Sequence, residues 1–559
     1  MNKTHRLSHH LLSALLPSLL LLHACTDTEI RPENPAKSSV ATTDAKSDAQ
    51  SDKGADKNRE AGIKQAMEQG LKAYEGQDYK RALPIFQQYA NTGIARAQYA
   101  LGLMYANGEG IQQDEHKAAH WYLKAAQQGH MAAQNNLGVL YRNERLAGFK
   151  QSAIKASTPE EHALYWFNLA ARQDNAQAQV NLASLYFQGK GIPNNYPMAA
   201  KWFERAALQG HAMSQFNLGV MYAHGKGVEQ DLVKATYWYH QAAMQGDVKA
   251  QFNIAVLYEA EQNAQGNLAR TIHWYQQAAK QGDSESQRKL QLLQQKIDAE
   301  RNKLETNLPA LKRAAAEGDA QAQFDLGVFN RQGLGLEKNL TQAATWFQRA
   351  AKQGMGEAQY NLALMYLRGE GGQQTPEHAQ QQAVIWLQKA TAQASSKAFP
   401  PAARQLGNLY LQGLGIKADP GKAIYWLRQA AQAGQVNAAH QLGTLYLQGE
   451  AIPKDGNEAL RWFQQAAQTG HIDAQHNLGM MYGYGLEVPA SEQEGLKWLR
   501  LAAFQGHPEA RFVLGNWYES GKGVDKDLLQ ARYWYLQAKK AGRKLPQAPS
   551  TSTNPTLEP

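Results

Sequence analysis

Residues 210–245 read GHAMSQFNLGVMYAHGKGVEQDLVKATYWYHQAAMQ, and this stretch decides the fold. Two helix-length segments are separated by Gly225 and Gly227, which favour a turn over continued helix. The second segment places Trp238 and several alanines at spacings of three and four, which is typical of one buried helical face. The stretch therefore predicts a helical hairpin, and we expect Gly219 in the first helix to allow close approach of a neighbouring backbone.

The same pattern recurs along most of the chain. Each unit opens at a position that is glycine in most repeats, and the repeats begin at residues 93, 129, 174, 210, 246, 282, 318, 354, 398, 434, 470 and 506. Eleven of the twelve tryptophans hold one place in the unit: Trp121, Trp166, Trp202, Trp238, Trp274, Trp346, Trp386, Trp426, Trp462, Trp498 and Trp534. A residue that recurs in this way is predicted to pack between stacked units.

The shared pattern AQxxLGxMYxxGxGVxxDxxKAxxWYxKAAxQG resembles the Sel1-like repeat family, a relative of tetratricopeptide repeats. The resemblance implies an all-α fold, a right-handed α-solenoid of stacked helical hairpins, over residues 93–281 and 318–541. The preceding stretch QGLKAYEGQDYKRALPIFQQYA resembles a tetratricopeptide unit, and residues 61–92 are predicted to cap the array. Insertions expand the units that start at Gly129 and Gly354, and insertions of this kind fall in loops.

One unit, residues 282–317, departs from the pattern. It keeps Leu290, Ala314 and Ala315 in register but lacks the tryptophan and the loop glycines. Its turn is therefore expected to be lost or replaced by longer helix. One interpretation is a hinge between two half-arrays, and the other is a drifted unit that stacks normally.

The N-terminus has the pattern of an export signal. Lys3 and Arg6 precede an apolar run from Leu11 to Leu22 that is too short to span a bilayer. The run ends before Cys25 in a sequence that resembles a bacterial lipobox, so residues 1–24 are predicted to be a lipoprotein signal peptide and Cys25 to carry lipid. Thr26 follows the cysteine, which implies a lipid anchor in the outer membrane, either periplasm-facing or surface-exposed. Residues 25–60 and 542–559 are polar and are predicted to be a disordered tether and tail.

The sequence offers no catalytic, cofactor or metal motif. The formal charge of +9 is spread over the units, which argues against nucleic-acid binding. His116 and His120 lie four residues apart but have no third zinc ligand in the sequence. Four other histidines follow a unit-opening glycine and are interpreted as loop residues: His130, His211, His471 and His507. We therefore predict neither an enzyme nor a metalloprotein.

A series of asparagines is the strongest candidate for partner binding. The series directly precedes the Leu-Gly or Leu-Ala pair, or Ile-Ala in one unit, at Asn136, Asn181, Asn217, Asn253, Asn361 and Asn477. In some tetratricopeptide proteins the matching asparagine binds an extended peptide backbone, because its amide both donates and accepts hydrogen bonds. The alternative is that each asparagine bonds a neighbouring repeat. The series lapses at Ala100, Lys289, Asp325, Gln405, Gln441 and Val513.

These features predict an envelope-anchored scaffold that binds proteins or extended peptides on its concave and loop surfaces. Some Sel1-like lipoproteins resemble factors for exopolysaccharide assembly and export, and such an accessory role is the first alternative. A surface-exposed factor that binds host proteins is the second. Cysteine-rich Sel1-like proteins have been linked to β-lactamase activity, but this chain contains a single cysteine and cannot form disulfides within its repeats.

Overall fold

The structure is a computed structural model of the chain, and it describes residues 55–146, 156–260, 267–333, 335–370, 375–392 and 399–544. Within these ranges the regular secondary structure is helical, and successive helices pack as hairpins. The all-α fold of stacked helical hairpins is therefore confirmed. The chain divides into two compact units, Met1–Ser286 and Gln287–Pro559. Among the described residues, no helix combines the length and hydropathy needed to cross a bilayer.

The first unit begins with a hairpin that precedes the repeats and continues with five further hairpins. Its helices are α1 (Ala55–Glu75), α2 (Tyr79–Asn91), α3 (Ala95–Asn107), α4 (Glu115–Gln127), α5 (Met131–Arg142), α6 (Pro159–Arg172), α7 (Ala176–Gln188), α8 (Tyr196–Leu208), α9 (Ala212–His224), α10 (Leu232–Ala243), α11 (Val248–Ala260) and α12 (Asn267–Lys280).

A long helix, α13 (Ser284–Ala316), starts at the end of the first unit. The helices that follow it in the second unit are α14 (Ala320–Gln332), α15 (Leu340–Lys352), α16 (Gly356–Leu367), α17 (Pro376–Thr391), α18 (Pro400–Gln412), α19 (Pro420–Gln432), α20 (Val436–Gln448), α21 (Gly456–Gln468), α22 (Ile472–Tyr484), α23 (Glu492–Phe504), α24 (Pro508–Ser520) and α25 (Leu528–Lys540).

The turn between the helices of a hairpin depends on glycine, as α9 and α10 show. α9 ends at Gly225, which has a left-handed φ of 65° and donates its N–H to the Met221 carbonyl. Gly227 has a φ of 76°, and a Cβ there would lie 2.3 Å from the backbone carbonyl carbon of Tyr196. Only glycine combines this conformation with so close an approach. The prediction that the paired glycines are turn residues is confirmed.

The two helices of a hairpin meet where a glycine faces a large apolar side chain. A Cβ on Gly219 would lie 2.7 Å from Cδ1 of Tyr239, which is fully buried. The same pairing recurs at Gly102–Tyr122, Gly138–Phe167, Gly219–Tyr239, Gly327–Phe347, Gly407–Leu427, Gly443–Phe463, Gly479–Leu499 and Gly515–Tyr535. The expectation for Gly219 needs correction, because its missing side chain admits an aromatic ring rather than a neighbouring backbone.

The tryptophans are only partly the packing residues that the sequence suggests. Trp238 and Trp462 are 1% exposed, whereas Trp121, Trp202, Trp346, Trp426 and Trp498 are half-buried. The residue after each tryptophan is at most 1% exposed from Tyr122 to Leu499. The constant core position is therefore the residue after the tryptophan. In eight hairpins its side chain packs against the glycine of the first helix. Cations cover some tryptophan faces, as Lys124 does at 4.5 Å from the Trp121 ring centre.

The degenerate unit is a continuous helix. α13 runs for 33 residues, so the turn that the other units have is replaced by helix. The glycines that end the first helix elsewhere are absent from this unit, and the helix continues through Pro309 to Ala316. The division between the two compact units falls between Ser286 and Gln287, inside α13. Motion about this helix, the hinge interpretation, stays a prediction.

The first expanded unit has its extra residues mainly between helices, whereas part of the second insertion lengthens α17 to 16 residues. Residues 147–155 lie outside the described residues, and α6 resumes the unit with a capping box between Thr158 and Glu161. In the second expanded unit, residues 371–374 and 393–398 likewise lie outside the described residues. α17 begins between these two segments, capped by Thr375.

Candidate functional site

The asparagine series lies on the first helices of the hairpins, and its members differ in exposure. Asn136 and Asn181 are 1% exposed and Asn217 is 2% exposed. Asn253, Asn361 and Asn477 are half-buried. A peptide in contact with the first three would have to displace surrounding side chains, whereas the last three are partly open to solvent.

The buried asparagines of α5 and α7 bond to each other across the repeat boundary. Asn181 Nδ2 donates to Asn135 Oδ1 at 2.8 Å, and Asn135 Nδ2 donates to Asn136 Oδ1 at 3.2 Å. Gln177 completes the network by donating to Asn181 Oδ1 at 3.2 Å. A buried amide network of this kind holds helices in register because each group would be costly to leave unpaired.

The half-buried asparagines have looser surroundings. Asn361 Nδ2 donates to the Glu357 carbonyl at 2.8 Å, and Arg331 reaches Asn361 Oδ1 at 3.4 Å. Asn477 Nδ2 lies 3.3 Å from His440 Nε2. Burial raises the pKa of the Tyr239 hydroxyl, and the effect of the Asn253 side chain opposes this rise.

In the second unit, three of the residues that interrupt the asparagine series also have polar, half-buried side chains. Five half-buried side chains occupy this position on consecutive first helices, and we call them the polar row: Asp325, Asn361, Gln405, Gln441 and Asn477. Burial raises the pKa of Asp325, and Gln321 donates to its carboxylate at 2.9 Å. The row ends at Val513, which is 8% exposed. Its amides present both donors and acceptors, the pairing that an extended peptide backbone requires.

A second polar series, which we call the glutamine bridge, links neighbouring helices in the interior. Gln215 Nε2 donates to the Ala207 carbonyl at 3.0 Å, and Gln245 Nε2 donates to Gln215 Oε1 at 2.8 Å. One bridge thus joins α8, α9 and the end of α10. The paired glutamines are Gln98–Gln128, Gln134–Gln173, Gln179–Gln209, Gln215–Gln245, Gln251–Gln281, Gln323–Gln353 and Gln475–Gln505.

Both members of the bridge are replaced by alanine or threonine in two hairpins of the second unit, and by Arg511 and Ala541 in the last hairpin. Ala403 and Ala433 stand at the two positions in one hairpin, and Ala439 and Thr469 in the next. The Ala431 carbonyl, which a bridge would bond, accepts instead from Gln465 Nε2 at 2.7 Å. The bridge was not predicted from the sequence, although a glutamine recurs at one register of the first helix together with a second near the end of the hairpin.

Four of the histidines interpreted as loop residues cap helices. His130, His211, His471 and His507 each precede a first helix, and their Nδ1 atoms accept a backbone N–H at 3.3, 3.3, 3.3 and 3.1 Å. The cap requires a neutral imidazole, because a protonated ring has no acceptor. Burial, with a smaller contribution from Arg96, lowers the pKa of His130 to about 4.

A family model described as the Sel1 repeat matches eleven segments of the chain. The matched segments are residues 95–130, 132–175, 176–211, 212–247, 248–283, 320–355, 356–395, 400–435, 436–471, 472–507 and 508–542. The chain belongs to the Sel1 repeat family. The resemblance drawn from the sequence is confirmed, and the unmatched interval between the fifth and sixth Sel1 repeats contains α13. Proteins of Sel1 repeats generally mediate protein–protein interactions and are typically non-enzymatic.

Similar proteins share parts of this array. A 71-residue segment is 34% identical to an exopolysaccharide production negative regulator of Rhizobium leguminosarum bv. viciae, covering 13% of this chain and 27% of that protein. A 64-residue segment is 39% identical to chitin synthase regulatory factor 3 of Schizosaccharomyces pombe, covering 11% of this chain and 6% of that protein. The chain therefore spans about a quarter of the first relative's length and less of the second's.

Two solved structures are also similar. The c5321 protein, a protective antigen of uropathogenic Escherichia coli strains with an SLR fold, is 28% identical with a TM-score of 0.35, over 82% of this chain and 89% of that one. A Sel1 repeat protein of Oxalobacter formigenes is 30% identical with a TM-score of 0.37, over 44% of this chain and 95% of that one.

The predicted membrane anchor falls outside the described residues. Cys25, the signal peptide of residues 1–24 and most of the predicted tether precede the first described residue, and residues 545–559 follow the last. Residues 55–60, predicted as the end of the disordered tether, instead belong to α1. Lipidation of Cys25 and the outer-membrane location stay predictions.

Proposed function

We propose that this Sel1 repeat protein is an envelope-anchored scaffold that holds partner proteins on the first helices of its second unit. The proposal is supported by the family, whose members generally bind proteins, and by the polar row. Helices that are already folded can bind a segment without being ordered by it, which lowers the entropic cost of association.

The polar row carries the proposal because it is partly open along consecutive hairpins. Asn361, Gln405 and Gln441 are half-buried and are separated by 44 and 36 residues, so each belongs to a different repeat. An extended peptide crossing these helices would meet one amide per repeat and could bond its backbone to each. The buried Asn136, Asn181 and Asn217 of the first unit are better suited to holding repeats together.

The anchor completes the proposal. A lipid on Cys25 would tether the array to the outer membrane through the polar segment that follows, and this assignment rests on the sequence of the N-terminus. Cys25→Ser is therefore the variant that separates membrane attachment from partner binding, because it leaves every repeat unchanged.

Site-specific photo-crosslinking in native envelopes tests the binding surface. A photoreactive residue at Gln405 or Gln441 is expected to capture the same partner protein, identified by mass spectrometry. The matched control is Gln429, an exposed glutamine on the second helix α19. Equal capture at Gln429, or no capture at the polar row, would remove the support for this surface.

Substitution of the row provides a second test with a quantitative readout. The triple variant Asn361→Ala, Gln405→Ala and Gln441→Ala is expected to weaken binding of the captured partner by about 10-fold or more, since several amide bonds of about 1 kcal/mol each would be lost. Gln412→Ala with Gln448→Ala, at exposed helix ends, is the control and should leave the affinity unchanged.

The second candidate function is an accessory role in exopolysaccharide production. It is favoured by the similarity to the Rhizobium exopolysaccharide regulator, which extends over 71 residues. In this case the partner captured at Gln405 would belong to a polysaccharide synthesis or export complex, and deletion of the protein would change the polysaccharide yield. An unchanged yield together with an unrelated partner would exclude this alternative.

A further inference from the structure

Three metal-ligating side chains meet between two helices of the second unit. His440 lies on α20, and His471 and Asp473 lie at the start of α22. One ligand atom from each residue comes within 4.8 Å of those of the other two. Two imidazoles and one carboxylate form a donor set that suits Zn²⁺, with water as a fourth ligand.

The charges around this cluster favour a cation. The charged groups that act on His440 are His471 and Asp473, and the Asp473 carboxylate also lies 3.5 Å from His507 Nε2. Burial, followed by the effect of His471, lowers the pKa of His440. We propose that His440, His471 and Asp473 bind one Zn²⁺ ion and thereby crosslink α20 to α22.

The site is only partly preorganised. The His440 and His471 rings stack with centroids 4.4 Å apart and planes 18° apart. A metal lies close to the plane of each imidazole that binds it, so one ring has to turn out of the stack. Bond lengths of about 2.0–2.2 Å to nitrogen and oxygen also require the ligand atoms to close by roughly 1 Å. Asp473 can make this adjustment, because its side chain is 62% exposed.

Binding also changes the helix cap. His471 Nδ1 accepts the Ala474 N–H at 3.3 Å. The lone pair of the neutral ring is therefore used by the helix cap. If Nε2 binds the ion, the ring proton moves to Nδ1 and this cap is lost. The Ala474 amide is therefore a specific reporter of ligation by His471.

The location gives the metal a structural consequence. His440 is adjacent to Ala439, where other repeats carry the glutamine bridge, and Thr469 replaces the second glutamine. The bridge that would join α19, α20 and the end of α21 is therefore absent. A metal bound by His440, His471 and Asp473 would supply a link between consecutive repeats at a place where the protein lacks this bridge.

Calorimetric titration of the full chain with Zn²⁺, in protein without a polyhistidine tag and after chelator treatment, tests the site. One equivalent is expected to bind, and Co²⁺ in place of Zn²⁺ is expected to give the intense visible absorption of a tetrahedral site. Each of His440→Ala, His471→Ala and Asp473→Asn should weaken binding by at least about 10-fold. In NMR spectra the Ala474 amide should shift on binding.

The controls distinguish this site from general histidine binding. His211→Ala removes a comparable helix cap in the first unit and should leave Zn²⁺ affinity unchanged. Asp473→Asn keeps size and shape at an exposed side chain, so it tests the site even if a histidine variant fails to fold. The proposal is overturned if no saturable binding occurs, if Asp473→Asn binds like the wild type, or if His116→Ala with His120→Ala abolishes binding instead.

Discussion

The hairpins of residues 95–281 and the two hairpins of residues 400–468 have the same kind of apolar core but differ in the hydrogen bonds between their polar side chains. In both regions a large buried side chain faces a glycine, as Phe167 faces Gly138 and Phe463 faces Gly443. The first region adds a glutamine bridge in each hairpin, whereas the second has alanine or threonine at both bridge positions. Apolar packing therefore suffices to form the hairpin, and the bridge is a separable addition.

The paired loss of the glutamines has a simple physical reason. A single buried glutamine without its partner would leave an amide group unsatisfied, which costs more than replacing both by small residues. The unbridged region instead contains stacked histidines, with His440 on His471 and, in the adjoining repeats, His476 on His507. Substitutions in each region can show whether the two regions differ only in these polar groups.

The largest expected effect is loss of the shared core. Phe167→Ala and Phe463→Ala should each destabilise the surrounding hairpins by about 3–5 kcal/mol, because each deletes a fully buried ring. Local stability can be measured by hydrogen exchange of the flanking helices in native protein. A much smaller cost for Phe463→Ala would show that the two regions differ in their cores as well.

The next effect is loss of a bridge. Gln215→Ala removes the donor to the Ala207 carbonyl and the acceptor for Gln245, and should cost about 1–3 kcal/mol. In a double-mutant cycle with Gln245→Ala, the two losses should be less than additive because they break one shared network. Urea unfolding provides the free energies, and strict additivity would contradict a coupled bridge.

Acid should lower the stability of the first region through His130. This histidine stacks on Tyr99, and the matching stack in the unbridged region is that of His440 on His471. The folded pKa of about 4 lies below the ordinary value of 6.5, so the unfolded chain binds more protons between these values. The contribution of neutral His130 to stability is therefore complete above pH 6.5 and is lost as the pH falls towards 4. Between about pH 7 and 5.5 the loss should be about 1 kcal/mol, and His130→Gln should reduce this slope.

The smallest effect is expected on installing a bridge. Ala439→Gln together with Thr469→Gln should stabilise the unbridged region by about 0.5–1 kcal/mol, the net worth of an added hydrogen bond. Gln465 already bonds the Ala431 carbonyl, which limits the gain. Either substitution alone should be neutral or destabilising in urea unfolding. A single variant as stable as the pair would contradict the requirement for both partners.

Much of the fold could be predicted because its signals are local. Gly225 and Gly227 indicate a turn in any helical context, and the regular spacing of the repeats predicts where the helical hairpins lie. The site was harder to predict because burial is not local. Asn217 and Asn361 occupy the same place in the repeat, yet one is 2% exposed and the other half-buried. Gln215 and Gln245 are 30 residues apart, so their contact is visible only in the folded chain.

The sequence by itself determined that the protein is an array of helical hairpins, because glycines and apolar residues at fixed spacing act within one repeat. Only the tertiary structure decided which side chains face the interior. It placed the residue after most of the tryptophans against a glycine, joined glutamines into bridges and left the polar row partly open. The physical reason is that these properties depend on neighbouring helices, whose positions follow from packing across repeats rather than from the pattern inside one.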